Sequence, residues 1–173
     1  TSRVLNANTG DLSLTGCTVL GTSAPTTWII DLIAGSSHKG TITGAIVAGA
    51  NLSGETVTIA KDGPGTWELQ GAVPDLGGAG APVINAGTLI LSGANTFSAA
   101  PVINAGTLIL SGANTYSADT RIAGGTLQLN SALPLQNSTL DMNSADAGTL
   151  AFGSTITATT LGGLTGSRNI ILA

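Results

Sequence analysis

The sequence predicts an all-β protein wound into a stack of short parallel strands, a β-solenoid. Two observations lead there. Residues 82–99 and 101–118 are one phrase written twice, 19 residues apart, differing only at Phe97 and Tyr116. A shorter pattern, Gly-Thr-apolar-x-apolar, starts at Gly65, Gly87, Gly106, Gly125 and Gly148, at spacings of 22, 19, 19 and 23 residues. A self-similar period of that length marks a repeat architecture in which each copy packs on the next.

Each element follows from alternation. Within a copy the apolar residues recur every second position, Thr and Val are frequent, and Gly punctuates the run, so a helix is excluded. Aligning the copies gives two apolar columns, Trp67-Leu89-Leu108-Leu127-Leu150 and Leu69-Leu91-Leu110-Leu129-Phe152. The position between them holds Glu68, Ile90, Ile109, Gln128 and Ala151. A column that accepts a charge and an amide faces water, so its neighbours face in. By the same argument Ile84, Ile103 and Ile122 point inward, and Val83, Val102 and Arg121 point outward. Hairpins give no reason for like residues at a fixed spacing. Parallel coils do, because each residue lies on its own counterpart. The stack is expected to be one domain over residues 1–173, with looser coils at 1–62, clear repeats at 63–130 and weaker ones at 131–173. About eight coils, roughly 40 Å tall, would hold it.

Corners are assigned to the turn-forming residues. Asn95 and Asn114 tolerate tight backbone angles, and their amides would bond from coil to coil as a ladder. Phe97 and Tyr116 would stack near the same corner, leaving the Tyr116 hydroxyl free to reach solvent. Residues 77–80, all Gly and Ala, enlarge one corner and account for a 22-residue spacing. The polar stretch 141–146 is expected to be a corner whose Asp side chains bond their own backbone.

Composition narrows the function. Charged residues are 8% of the chain and aromatics 3%, so the core must be aliphatic and disorder is disfavoured. The net charge is −4, and Arg3, Lys39, Lys61, Arg121 and Arg168 are scattered, which excludes a nucleic-acid partner. No apolar run is long enough to span a membrane. The chain begins with Thr1 and shows no signal peptide, the pattern of a mature or excised product. The single cysteine, Cys17, is expected to be a small apolar strand residue, since the one histidine, His38, is not placed beside it.

The stretch "GTLILSGANTYSADTRIAGGTLQLNSALP" (residues 106–134) resembles the autotransporter-associated β-strand repeat, also called the passenger-associated transport repeat. That pattern runs GTL-x-L-S-G-x-NTY-x-G, then a short strand, then GTL-x-L. The resemblance is strong over residues 63–130, weaker over 148–172, and one of texture in the first 60. Where the pattern often has Gly after Ser, this chain has Ala99 and Ala118. The resemblance implies a right-handed, single-stranded parallel β-helix in a secreted or surface-exposed bacterial protein. It implies no catalytic residues.

The acids are spread along the chain, with Asp119, Asp141 and Asp146 expected in separate corners. No catalytic or metal site is assigned, and no cofactor is expected. The leading function is therefore a non-enzymatic extracellular structural protein that assembles head to tail with other copies into a filament or surface layer. The alternative is a stalk or adhesin segment of an autotransporter passenger, with surface glycans or matrix as partners. A polysaccharide-active enzyme comes third. No amphipathic helix caps either end, so the expected end contacts are Val4, Leu5, Leu12 and Leu14 against Ile170, Ile171 and Leu172. Val83, Ile90, Val102 and Ile109, apolar at outward positions, would mark a further contact surface.

Overall fold

Strands of four residues bury too little to stand alone, so each must pair with the coils before and after it. The computed structural model describes residues 2–15, 17–19, 27–48, 56–75 and 81–170, and shows such pairing throughout. In chain order the strands are β1 (Ser2–Ala7), β2 (Leu12–Leu14), β3 (Cys17–Val19), β4 (Thr27–Ala34), β5 (Lys39–Ile42) and β6 (Ile46–Ala48). They continue with β7 (Thr56–Asp62), β8 (Thr66–Leu69), β9 (Pro82–Ile84), β10 (Thr88–Leu91), β11 (Val102–Ile103) and β12 (Thr107–Leu110). The last five are β13 (Thr120–Arg121), β14 (Thr126–Leu129), β15 (Leu135–Met142), β16 (Thr149–Phe152) and β17 (Leu161–Gly166).

The strands form a parallel β-solenoid, with no helix among the described residues. The first sheet has the order β1-β4-β7-β9-β11-β13-β15-β17, and the second runs from β2 through β5, β8, β10, β12 and β14 to β16. A third sheet contains β3 and β6. The stack has fewer complete turns than the eight expected, because the last coil described has only its first-sheet strand. Residues 77–80, read above as an enlarged corner, lie outside the described residues, as do Ile171 and Leu172.

Register in the second sheet is unbroken. One inward column runs Leu12-Gly40-Trp67-Leu89-Leu108-Leu127-Leu150, and the other runs Leu14-Ile42-Leu69-Leu91-Leu110-Leu129-Phe152. Trp67 through Leu150, and Ile42 through Leu129, are buried, and Phe152 at the end is half-buried. The first column contains a glycine where its neighbour is the largest side chain. A Cβ on Gly40 would lie 2.2 Å from the Trp67 ring, so the indole occupies the space that Gly40 leaves. The Trp67 Nε1–H donates to the Ile33 carbonyl at 3.0 Å, which satisfies the one polar group of a fully buried ring.

In three of the Gly-Thr pairs the Gly has two reasons to be there. Gly87, Gly106 and Gly125 turn the chain between the sheets with φ of 64°, 72° and 62°. A Cβ on Gly106 would also approach the Gly87 carbonyl oxygen to 2.4 Å, and one on Gly125 would meet the Gly106 oxygen at the same distance. Stacked corners leave no room for a side chain.

On the third side the clear repeats have no strand among the described residues. Asn95 and Asn114, both buried, replace it. Asn95 Nδ2 donates to Asn114 Oδ1 at 2.6 Å. The Val73 amide donates to Asn95 Oδ1 at 2.9 Å, and Asn114 Nδ2 donates to the Pro134 carbonyl at 2.8 Å. Four successive coils are thus bridged by two side chains.

The rings of Phe97 and Tyr116 stack with centroids 4.4 Å apart. Contrary to expectation, the Tyr116 hydroxyl is buried, and burial pushes its pKa well up. Ser138 Oγ donates to the Ala118 carbonyl at 2.7 Å, so Thr120 Oγ1 donates to Ser138 at 2.8 Å and Tyr116 to Thr120 at 3.1 Å. The position equivalent to Thr120 in the preceding repeat is Pro101, which offers no hydroxyl. That accounts for the one difference between the two copies.

Two sets of substitutions test these assignments. Phe97→Tyr buries a hydroxyl without a partner and should cost about 1–3 kcal/mol in urea unfolding, whereas Tyr116→Phe should cost about 1 kcal/mol. Leu108→Asp places a charge between Leu89 and Leu127 and should cost on the order of 3–5 kcal/mol or prevent folding. Ile109→Asp, between Ile90 and Gln128, should cost about 1 kcal/mol or less. Equal losses at 108 and 109 would mean that the two faces are assigned the wrong way round.

Candidate functional site

Chemistry on a β-solenoid would need polar groups gathered on an outer face or at an end. The outer faces are crossed by polar ladders. On the second sheet Lys39 is salt-bridged to Glu68, whose Oε1 also accepts from Ser92 Oγ at 2.9 Å. The Lys39 hydrogen bond, aided by Ser92, holds the Glu68 carboxyl below its ordinary range against the opposing effect of burial. On the first sheet Asn104 Nδ2 donates to Asn85 Oδ1, and Asn85 Nδ2 donates to Asp62 Oδ1, both at 2.9 Å. Among the described residues no three His, Cys, Asp or Glu side chains gather as a metal cage would.

The acids are less scattered in space than in sequence. Asp141 lies within β15, paired with Arg121 and Thr165, rather than in a corner. Asp146, expected to bond its own backbone, instead receives a forked pair of hydrogen bonds from Arg121, from Nε at 2.8 Å and from Nη2 at 2.7 Å. These bonds hold its carboxyl below the ordinary range. It is Asn143 that makes the local turn bond, accepting from the Ala145 amide at 2.9 Å. Asp31 and Asp62, 31 positions apart in sequence, are close enough to interact on β4 and β7. Burial first, and the neighbouring Asp62 second, raise the Asp31 pKa.

Beneath that pair lies a residue that the repeat pattern does not reveal. Lys61 takes a place in an inward column of the first sheet, between Leu32 and Ile84, and is fully buried. Its ammonium donates to the carbonyls of Asp62 at 2.9 Å, Gly63 at 2.8 Å and Ala86 at 3.2 Å. Those three oxygens use the donors of one –NH₃⁺ group. Burial still lowers its pKa, opposed by Asp62 and Asp31. The alternation in "TVTIAKD" places Lys61 inward, and this is the sequence signal that would have found it.

The expected contact residues fall in four places. Val83 and Val102 are on the first sheet and Ile90 and Ile109 on the second, so they make two stripes rather than one surface. Val102 is exposed and the other three are half-buried. At the beginning of the stack Val4 points outward and is exposed, while Leu5, Leu12 and Leu14 pack partly against the core. At the other end Ile170 packs partly against the core. It lines a cleft of about 760 Å³ together with Met142, Leu150, Phe152 and Arg168.

A family model for the passenger-associated transport repeat matches residues 84–108 and again residues 102–129, so the chain carries this repeat in tandem. No curated protein and no solved structure matches the chain.

Lys61 gives a pH test. Its folded-state pKa lies below its unfolded value, so in the window just below 10.5 the unfolded chain holds a proton that the folded chain lacks. Stability should therefore rise with pH there. The raised pKa of Tyr116 acts oppositely above 10.0, but it is common to both proteins and cancels on subtraction. Urea midpoints measured against pH should show the rise in the native protein and lose it in Lys61→Met.

Proposed function

We propose that this chain is a non-enzymatic structural protein, a β-solenoid of the autotransporter-passenger type held outside the cell or on a bacterial surface, that extends by stacking end to end with further copies. One observation carries the proposal. The two apolar columns of the second sheet run unbroken from Leu12 and Leu14 to Leu150 and Phe152, and all four end members are less covered than the interior Leu pairs or lie at the stack's edge. Another coil placed there pairs the backbone and covers the columns together. Such a head-to-tail contact does not close on itself, so it propagates. Low charge favours it, since few like charges oppose the approach.

The tandem passenger repeat favours a second reading, in which the same solenoid is a stalk or adhesin segment and meets surface glycans or matrix through its outer faces. Against an enzyme stands the state of the outer polar groups. Glu68 and Asp146 are tied into bonds between coils, and both are held ionised rather than poised as acids.

Negative-stain electron microscopy and sedimentation velocity of the untreated protein should show filaments whose length grows with concentration. Ile170→Lys combined with Ile171→Lys should leave monomers with an unchanged β circular-dichroism spectrum. A native protein that stays monomeric at high concentration would leave the stalk as the function.

A further inference from the structure

The amide ladder beside the first sheet runs from Asn104 through Asn85 to Asp62. There it meets a second acid. In register Asp31 lies opposite Ala60, and Ile33 lies opposite Asp62. Leu32 and Lys61 are the buried, inward residues beside them, so the two aspartates share the outer face on neighbouring strands. Their carboxyl groups are within hydrogen-bond reach of each other.

An ionised carboxylate only accepts, so two of them bond only through a proton. Asp62 Oδ1 already takes the Asn85 amide hydrogen at 2.9 Å, which suits a carboxylate. Asp31 Oδ1 is buried with no partner. An unpaired ionised oxygen in that place costs more than the carbonyl oxygen of a neutral acid. Few charges surround the pair. On β1 the residue in register with Asp31 is Val4, and Arg3 pairs with Ile30. On β7 the neighbours are Ala60, Lys61 and Asp62, and beyond them Val83 and Asn85 carry no charge. Burial first, then the Asp62 charge and hydrogen bond, favour a neutral Asp31, and Lys61 opposes them.

We propose that Asp31 and Asp62 hold one proton between them, donated by Asp31 to the Asp62 carboxylate, and that this proton is a pH-dependent clasp between β4 and β7. Closed, it extends the ladder to Asp31-Asp62-Asn85-Asn104, over four successive coils. Open, it leaves two like charges facing each other at one junction. The second sheet joins the same two coils through Lys39 on β5 and Glu68 on β8, and that pair responds the other way. The Glu68 carboxyl lies below its ordinary 4.5, so its contribution is lost as the pH falls through the folded value. Asp31 lies above its ordinary 3.8, so its contribution is full below 3.8 and is lost as the pH rises through the folded value. On acidification this junction exchanges a salt bridge for a shared proton. The clasp lies within the stack and does not depend on what meets its ends.

The test sets Asp31→Asn, whose amide can donate to Asp62 at every pH, against the native protein. Urea midpoints are measured from neutral pH to below 3.8. The contributions of Glu68 and the other acids are common to both proteins and cancel on subtraction. The native midpoint minus the variant midpoint should rise as the pH falls and level off below 3.8. A difference that stays flat, or that falls, would overturn the clasp. Carboxyl-carbon NMR of the native protein reads the pair directly and decides the matter if Asp31→Asn does not fold. The Asp31 and Asp62 resonances should move together in one titration step, since the step belongs to the pair. Asp62→Ala should shift the Asp31 midpoint to lower pH. An Asp31 resonance that titrates without Asp62, or that Asp62→Ala leaves in place, would equally overturn the shared proton.

Discussion

Parallel pairing in register sets each residue about 4.8 Å from its counterparts in the coils above and below. The remaining features of this molecule answer to that spacing. A side chain must suit its own neighbours in a column before it suits anything else, and a favourable contact is repeated at every coil. Leucine stacked on leucine meets the condition directly, as in the run from Leu89 to Leu127. Glycine meets it at the corner, where the carbonyl of the coil below occupies the place of a Cβ. Asparagine meets it on the third side, where an amide gives each coil both a donor and an acceptor toward the next. Departures from likeness come in compensated pairs. Trp67 lies over Gly40, and Tyr116 has Thr120 where Phe97 has Pro101.

That constraint also explains which parts of the structure were legible in the sequence. The columns could be read by aligning copies, because a stack writes its contacts into the repeat period. The same alignment separated inner Leu108 from outer Ile109, since Glu68 and Gln128 betray a wet column. What stayed hidden were contacts between unlike residues whose spacing varies from coil to coil. Lys61 departs from its column, and the carbonyls that hold it belong to a corner 25 residues later as well as to its own. Arg121 meets Asp146 across a corner that has been lengthened, so no fixed offset points from one to the other. The two aspartates on β4 and β7 are 31 residues apart, outside the 19-residue period of the clear repeats.

The outer faces bear on function through the same geometry. Glu68 joins Lys39 and Ser92 across the second sheet, and Asp62, Asn85 and Asn104 form a ladder beside the first, so their polarity joins coils. A group committed to a neighbour is less available to a substrate, and a carboxylate held ionised is a poor proton donor. The solenoid thus spends its few charges on its own cohesion.

The direction of the hydrogen bonds gives the rod an uneven response to force. They run along the long axis, from strand to strand, so a pull from end to end strains the ladder of one junction before the next and separates coils singly. A pull across the axis loads every bond of a strand at once. Resistance to stretching is then set by the weakest junction rather than by the sum, as nearest-neighbour coupling requires. The junctions bridged by Asn95 and Asn114 hold bonds on three sides, whereas between β15 and β17 the described residues add no second-sheet strand pair. Under tension the described coils part first where a junction lacks that third side, while the repeats bridged by Asn95 and Asn114 stay folded.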